Sequence, residues 1–173
     1  MTCAALCLAL GLTVTSSSGL GYESPYSGAS AEIEVRHGQF VGLADLGYFS
    51  AHKIQTGDGS GQSASVLAGV KFGRWDFLAG AWGSITQTSA YEKSAVAPMV
   101  EVGFNARPVR VAAFYSDSAD PRVGRSYGAS MRGNQRMRVS LSYKHVKFES
   151  FFGVPHSGDQ VRLGVGWVFG GAE

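Results

Sequence analysis

Apolar and polar residues alternate along almost the whole chain. In the closing stretch Val161, Leu163, Val165, Trp167 and Phe169 share one phase, and Gln160, Arg162, Gly164, Gly166 and Val168 take the other. Side chains of a strand point alternately to its two faces, so this period of two predicts a strand with differently solvated sides. Upstream, Leu8, Leu10, Leu12, Val14, Leu20 and Tyr22 share a phase. Ala31, Ile33 and Val35 then oppose Ser30, Glu32, Glu34 and Arg36. Phe40, Leu46 and Tyr48 continue the pattern over 40–54, Val66, Val70 and Phe72 over 63–73, and Trp75, Phe77 and Ile85 over 75–88. Val100, Val102 and Phe104 carry it over 94–106, where Pro98 predicts an irregular start because it cannot donate to a ladder. Val109, Val111, Ala113 and Tyr115 follow, then Met137, Val139, Leu141 and Tyr143, then Phe148, Phe152 and Val154.

Connections between these runs alternate in length. Tight turns are expected near 37–39, 73–74, 107–108 and 144–146, and longer loops near 23–28, 55–62, 89–93 and 117–135, with a polar turn at 155–159. Aromatic residues gather at strand ends. Phe40, Phe72, Trp75, Phe104, Tyr143 and Phe169 fall towards the tight turns, and Tyr22, Tyr48, Tyr91, Tyr115 and Tyr127 towards the loops. The apolar phases hold almost no charge. Their opposites hold Glu32, Glu34, Arg36, Lys71, Glu101, Arg110, Arg138, Lys147, Glu149 and Arg162.

A sheet that crosses a bilayer needs all three features. Hydrocarbon cannot satisfy backbone amides, so the sheet must close on itself. Its outside must be apolar, bounded by aromatic girdles, with short turns at one end and longer loops at the other. The expected fold is therefore all-β, a closed antiparallel up-and-down transmembrane β-barrel formed by residues 1–173 as one domain. Ten strands are expected, with eight as the alternative. Residues 1–18 are either the first strand or the remnant of a signal peptide; no Lys or Arg precedes Arg36, so the usual basic leader end is missing. A soluble lipocalin-like ligand-binding barrel remains the competing architecture, because alternation does not say which face is inside.

Composition agrees with a turn-rich β protein in contact with lipid. Only 16% of residues are charged, against roughly 25% in soluble domains, while 24 are glycine and 12% are aromatic. A net charge of +2 and the lack of a basic run with interleaved aromatics argue against nucleic acid as a partner. Cys3 and Cys7 are the only cysteines and read as small apolar residues; no metal-ligand spacing accompanies them.

At the chain end Arg162, Gly164, Trp167 and Phe169 resemble the assembly signal of bacterial outer-membrane β-barrels, although Gly170–Glu173 follow where that family usually stops. Over nearly its full length the chain is similar in pattern to the small outer-membrane β-barrel proteins of Gram-negative bacteria. The resemblance implies an even strand count, a place in the bacterial outer membrane, and a structural or surface-interaction role. It also implies contact with outer-membrane lipid, lipopolysaccharide and the barrel-assembly machinery, in a monomer without cofactors.

If the charged phase faces inward, the ten acids and bases named above form a salt-bridged lumen network. Such a network either plugs the barrel or gates a narrow pore for ions or small solutes. The expected loop 117–135 and the start of the next strand carry Arg122, Arg125, Arg132 and Arg136, and arginine suits phosphate recognition, hence an expected contact with lipopolysaccharide. No catalytic residue is assigned. His37 and His145 are expected in tight turns and His52 near a loop. His156-Ser157 is similar to the His/Ser pair of lipid A-modifying hydrolases, yet the two are adjacent where that family separates them. The protease-type Asp/His sets are not recognisable either, although Asp117 and Asp120 sit in an expected loop. Gly-Asp-Gly-Ser-Gly within 56–62 offers one carboxylate, too few for calcium, and lacks the lysine of a phosphate loop.

Overall fold

The structure is a computed structural model that describes residues 9–20, 25–54, 57–88, 92–121, 124–133, 137–149 and 155–169. These residues form β1 (Ala9–Leu20), β2 (Pro25–His37), β3 (Phe40–Ile54), β4 (Gly57–Phe72) and β5 (Trp75–Thr88). They continue with β6 (Glu92–Ala106), β7 (Val109–Asp117), β8 (Arg125–Gly133), β9 (Met137–Glu149) and β10 (Pro155–Phe169). The architecture is all-β, antiparallel and up-and-down. Each strand pairs with its sequence neighbours, and β1 pairs with β10 as well as β2, so the order β1-β10-β9-β8-β7-β6-β5-β4-β3-β2 returns to its start as a closed barrel.

Two of the tight turns rest on glycine. Gly38 and Gly73 both take φ of 59°, the left-handed region open to a residue without Cβ, and each opens a two-residue turn. At the other end, the strands run past the point where their outer faces cease to be apolar. This corrects several expected loops. The Gly-Asp-Gly-Ser-Gly run pairs within β4, residues 155–159 open β10, and β6 keeps its register with β5 through Pro98. The ladder from β6 to β7 begins only at Met99↔Ser116, one residue beyond the proline.

The largest correction concerns residues 117–149. The expected long loop contains β8, whose Tyr127, Ala129 and Met131 alternate with Ser126, Gly128 and Ser130. The two short runs expected at 137–143 and 148–154 are not separate strands around a turn at 144–146. β9 runs unbroken through His145 to Glu149, and the connection from β8 lies at 134–136, outside the described residues. One strand was missing from the expected set and another was divided. Tyr143 consequently stands at the loop end rather than the tight-turn end. Tyr22, Tyr91, Cys3 and Cys7 lie outside the described residues.

The two phases occupy opposite sides of the wall. Large apolar side chains exposed among the described residues, from Val96 (70%), Phe40 (67%) and Leu46 (66%) to Val139, Leu141 and Val165, all belong to the outward phase. The inward phase supplies what is buried. Val41, Leu67 and Leu78 form a cluster against which Leu43 and Met99 pack, so one side of the lumen is apolar rather than charged.

Candidate functional site in the lumen and on the loop-end wall

Contacts between strands that are not neighbours establish which way the charged phase points. Arg132 on β8 donates from Nη1 to both Glu32 oxygens on β2, at 2.6 and 2.7 Å, although β9, β10 and β1 lie between them. Arg138 on β9 donates to the same carboxylate at 2.9 Å. Glu34 pairs with Arg36 and lies 3.6 Å from Arg132. Arg162 donates to the Ser30 hydroxyl at 3.2 Å. Such pairs spanning the interior require both partners to face the axis.

A second cluster occupies the opposite wall. Arg110 donates to Asp76 at 3.0 Å and to Glu101 at 2.7 Å, and Asn105 donates to Asp76 at 2.7 Å. Asp76 and Arg110 are the most enclosed ions described, at 1% and 3% exposure. Their burial is offset by the pairing of opposite charges, with both Asp76 partners on Oδ2 and its buried Oδ1 unpaired among the described residues. Gly103 makes room for this arrangement, since a Cβ there would collide with the Arg110 guanidinium. Nearer the loop end, Lys144 on β9 lies 4.3 Å from the Trp82 ring on β5, again across the interior. Trp82 donates to Ser116 at 3.0 Å, and Ser116 lies 2.6 Å from Ser126.

Glu32, Glu34, Arg36, Glu101, Arg110, Arg138 and Arg162 of the expected network are thus brought together as two clusters, and Lys71 shares their inward phase near the tight turns. Lys147 is a correction: it is exposed in phase with Met137, Val139 and Leu141, on the outer wall at the loop end. The side chain of Glu149 is outside the described residues. Sequence reasoning missed Asp76, Asp45 and Lys144, and placed Arg132 in a loop rather than in the lumen. Asp76 stood two residues before Leu78 on the inward phase of β5, a signal that phase counting alone would have found.

The expected phosphate-binding loop does not exist as one loop. Arg132 is committed to Glu32 inside the barrel, because it lies near the tight-turn end of β8 on the inward phase. Arg125 opens β8 at the loop end, exposed and 3.1 Å from Asp117. Arg122 and Arg136 lie outside the described residues. What the outer wall does present is Arg125 directly opposite Lys147, with Tyr127 opposite His145 one outward position closer to the apolar belt. The Tyr127 and His145 rings lie 5.1 Å apart, and Asp159 accepts from Tyr143 at 2.6 Å and lies 2.8 Å from His145 Nδ1. His145 is therefore not in a tight turn. Of the assembly signal, Arg162 and Gly164 face inward while Trp167 and Phe169 are exposed outside. Among the described residues no group of three His, Cys, Asp or Glu side chains could hold a metal.

No family model matches the chain, and no curated protein matches it in sequence. Among solved structures it is similar to Ail, the attachment invasion locus protein of Yersinia pestis, at 13% identity over 94% of this chain and 97% of that one, with a TM-score of 0.36. Salmonella typhi OmpF, solved in complex with daunomycin, aligns at 8% identity over 94% and 97% with a TM-score of 0.34. Pseudomonas aeruginosa OpdO aligns at 8% identity over 94% and 97% with a TM-score of 0.26. The overlaps are loose, and the functional reading rests on the chain's own faces and contacts. These neighbours are outer-membrane β-barrel proteins, and it is that class of protein which this chain resembles.

Proposed function

We propose that the chain is a ten-stranded transmembrane barrel of a bacterial outer membrane, with a structural and surface-interaction role rather than an enzymatic one. One observation carries the reading: the large exposed apolar side chains share the outward phase, while ions meet across the interior. A contiguous apolar surface of this extent is foreign to a monomer in water. On β10 the outward belt from Val161 to Phe169 is eight residue steps, roughly 27 Å along the strand and near 20 Å along the axis at a tilt of about 40°. Outward ionisable groups stand at its margins: His37, Arg74 and Arg107 at the tight turns, and Glu92, Arg125, Lys147 and Asp159 at the other end.

In this reading the lumen network is a plug, which opposes ion flow. Arg125 and Lys147 meet headgroup phosphates of the outer leaflet, lipopolysaccharide among them, above the band of Tyr48, Tyr115, Tyr127 and Tyr143. Two cations opposite one another on a ladder repel, Asp117 offsets this only on the Arg125 side, and a headgroup anion beside Lys147 lowers the remaining repulsion. The C-terminal strand is read by the assembly machinery. The test is electrophoresis of unheated and heated protein refolded into lipid vesicles. A migration shift on heating, with vesicle association that withstands high salt, supports the barrel, and a salt-sensitive gain in stability confined to lipopolysaccharide-containing vesicles supports the phosphate contact. A monomer that stays soluble without detergent refutes it. For the plug, planar-bilayer recording is expected to show no unitary current, and a steady current would establish the pore alternative.

A further inference from the structure

Between the two ion clusters lies a chamber of about 280 Å³, walled by Arg132, Arg138 and Arg162 on one side and Asp45, with Leu67 and Met99, on another. Its donors are not all used. The Nε atoms of Arg132 and Arg138 are buried and meet no hydrogen-bond acceptor among the described residues. Their Nη1 atoms are spent on Glu32, Arg132 Nη2 lies 3.6 Å from Glu34, and among the described residues Arg162 makes one hydrogen bond, to neutral Ser30. Arg110 and Glu101 also line the chamber but are committed to each other, and Arg110 to Asp76 as well. A buried N–H left unpaired costs more than a typical hydrogen bond contributes, and guanidinium donors match oxygen acceptors arranged in a plane or tetrahedron.

We propose that this chamber is a binding site for a small oxyanion, of the class of inorganic phosphate, sulfate or a short carboxylate. The anion accepts from Arg162 and from the free Nε donors of Arg132 and Arg138, with the Ser140 and Ser142 hydroxyls on the same wall. Asp45 opposes it. This carboxylate stands directly across the ladder from Glu32 and makes no ion pair among the described residues, so it weakens the site it borders. The inference concerns the folded barrel in any amphiphile and so does not depend on which membrane holds it.

The experiment is isothermal titration of the full chain, folded in detergent micelles, with inorganic phosphate, and with chloride at matched ionic strength. Saturable binding of one phosphate per chain, absent with chloride, is expected. Arg162→Gln should weaken it by about tenfold, the worth of one charge-assisted hydrogen bond. Asp45→Asn should tighten it several-fold, and Arg74→Gln at an exposed tight turn should leave it unchanged. Arg162 lies outside the Glu32 pairs, so its variant keeps the test decisive even where Arg138→Gln fails to fold. Equal heats with phosphate and chloride, or wild-type affinity in Arg162→Gln, would overturn the proposal; loss on Lys147→Gln alone would move the binding to the outer wall and overturn it too.

Discussion

Arg132 and Glu32, a hundred residues apart, join opposite walls of the barrel through hydrogen bonds of 2.6 and 2.7 Å. Arg138 shares the same carboxylate, so removing Glu32 leaves two guanidiniums from adjacent strands without the acid they share. Breaking a fully buried pair costs about 3–5 kcal/mol, and the partial exposure here brings the expectation for Glu32→Gln to about 2–3 kcal/mol. Urea unfolding in vesicles measures it. The double variant Glu32→Met, Arg132→Met should recover part of the loss; equal losses from the single and double changes would mean the pair contributes no coupling.

The three tryptophans report the two faces directly. Trp75 and Trp167 are exposed on the outward phase, and Trp82 lies inside beneath Lys144. Single-tryptophan variants in vesicles of brominated lipid should lose fluorescence at Trp75 and Trp167 but not at Trp82. Quenching of Trp82 by lipid bromine would invert the assignment of faces.

Charge placed on the belt should be costly in proportion to its depth. Val139 and Leu163 lie between the aromatic bands and are 48% and 51% exposed. Arginine at such a site near the bilayer midplane costs about 2–4 kcal/mol, falling to about 0–1 near the interface. Leu163→Arg should therefore lower the unfolding midpoint in vesicles far more than Ser157→Arg, which lies beyond the belt on the same face. Equal, small effects at both sites would point to water rather than lipid outside.

Gly103 tests the second cluster by sterics rather than by charge. Valine there would push Arg110 away from Asp76 and Glu101, leaving enclosed carboxylates uncompensated. The expected loss is about 3 kcal/mol, within the range for a broken buried ion pair. Adding Asp76→Asn to Gly103→Val should soften it, and a Gly103→Val protein as stable as wild type would show that Arg110 has another place to go.

Period-two alternation was enough, on its own, to predict an antiparallel all-β chain and the apolar phase of most strands. Its errors share one cause. Beyond the belt the outward phase turns polar, with Tyr143 followed by His145 and Lys147, so the pattern reads as a turn where β9 continues. In β8, small residues such as Ala129 and Gly128 flatten the contrast that marks a strand.

Which phase faced inward, and which residues met there, was decided only by the tertiary structure. Alternation is symmetric between a barrel with a greasy outside and one with a greasy inside; contacts between non-adjacent strands remove that symmetry, because only side chains aimed at the axis can make them. Arg132 shows the difference most plainly. Along the chain it is one more arginine in a polar stretch, and its partner becomes visible only when the closing ladder brings β8 and β2 face to face.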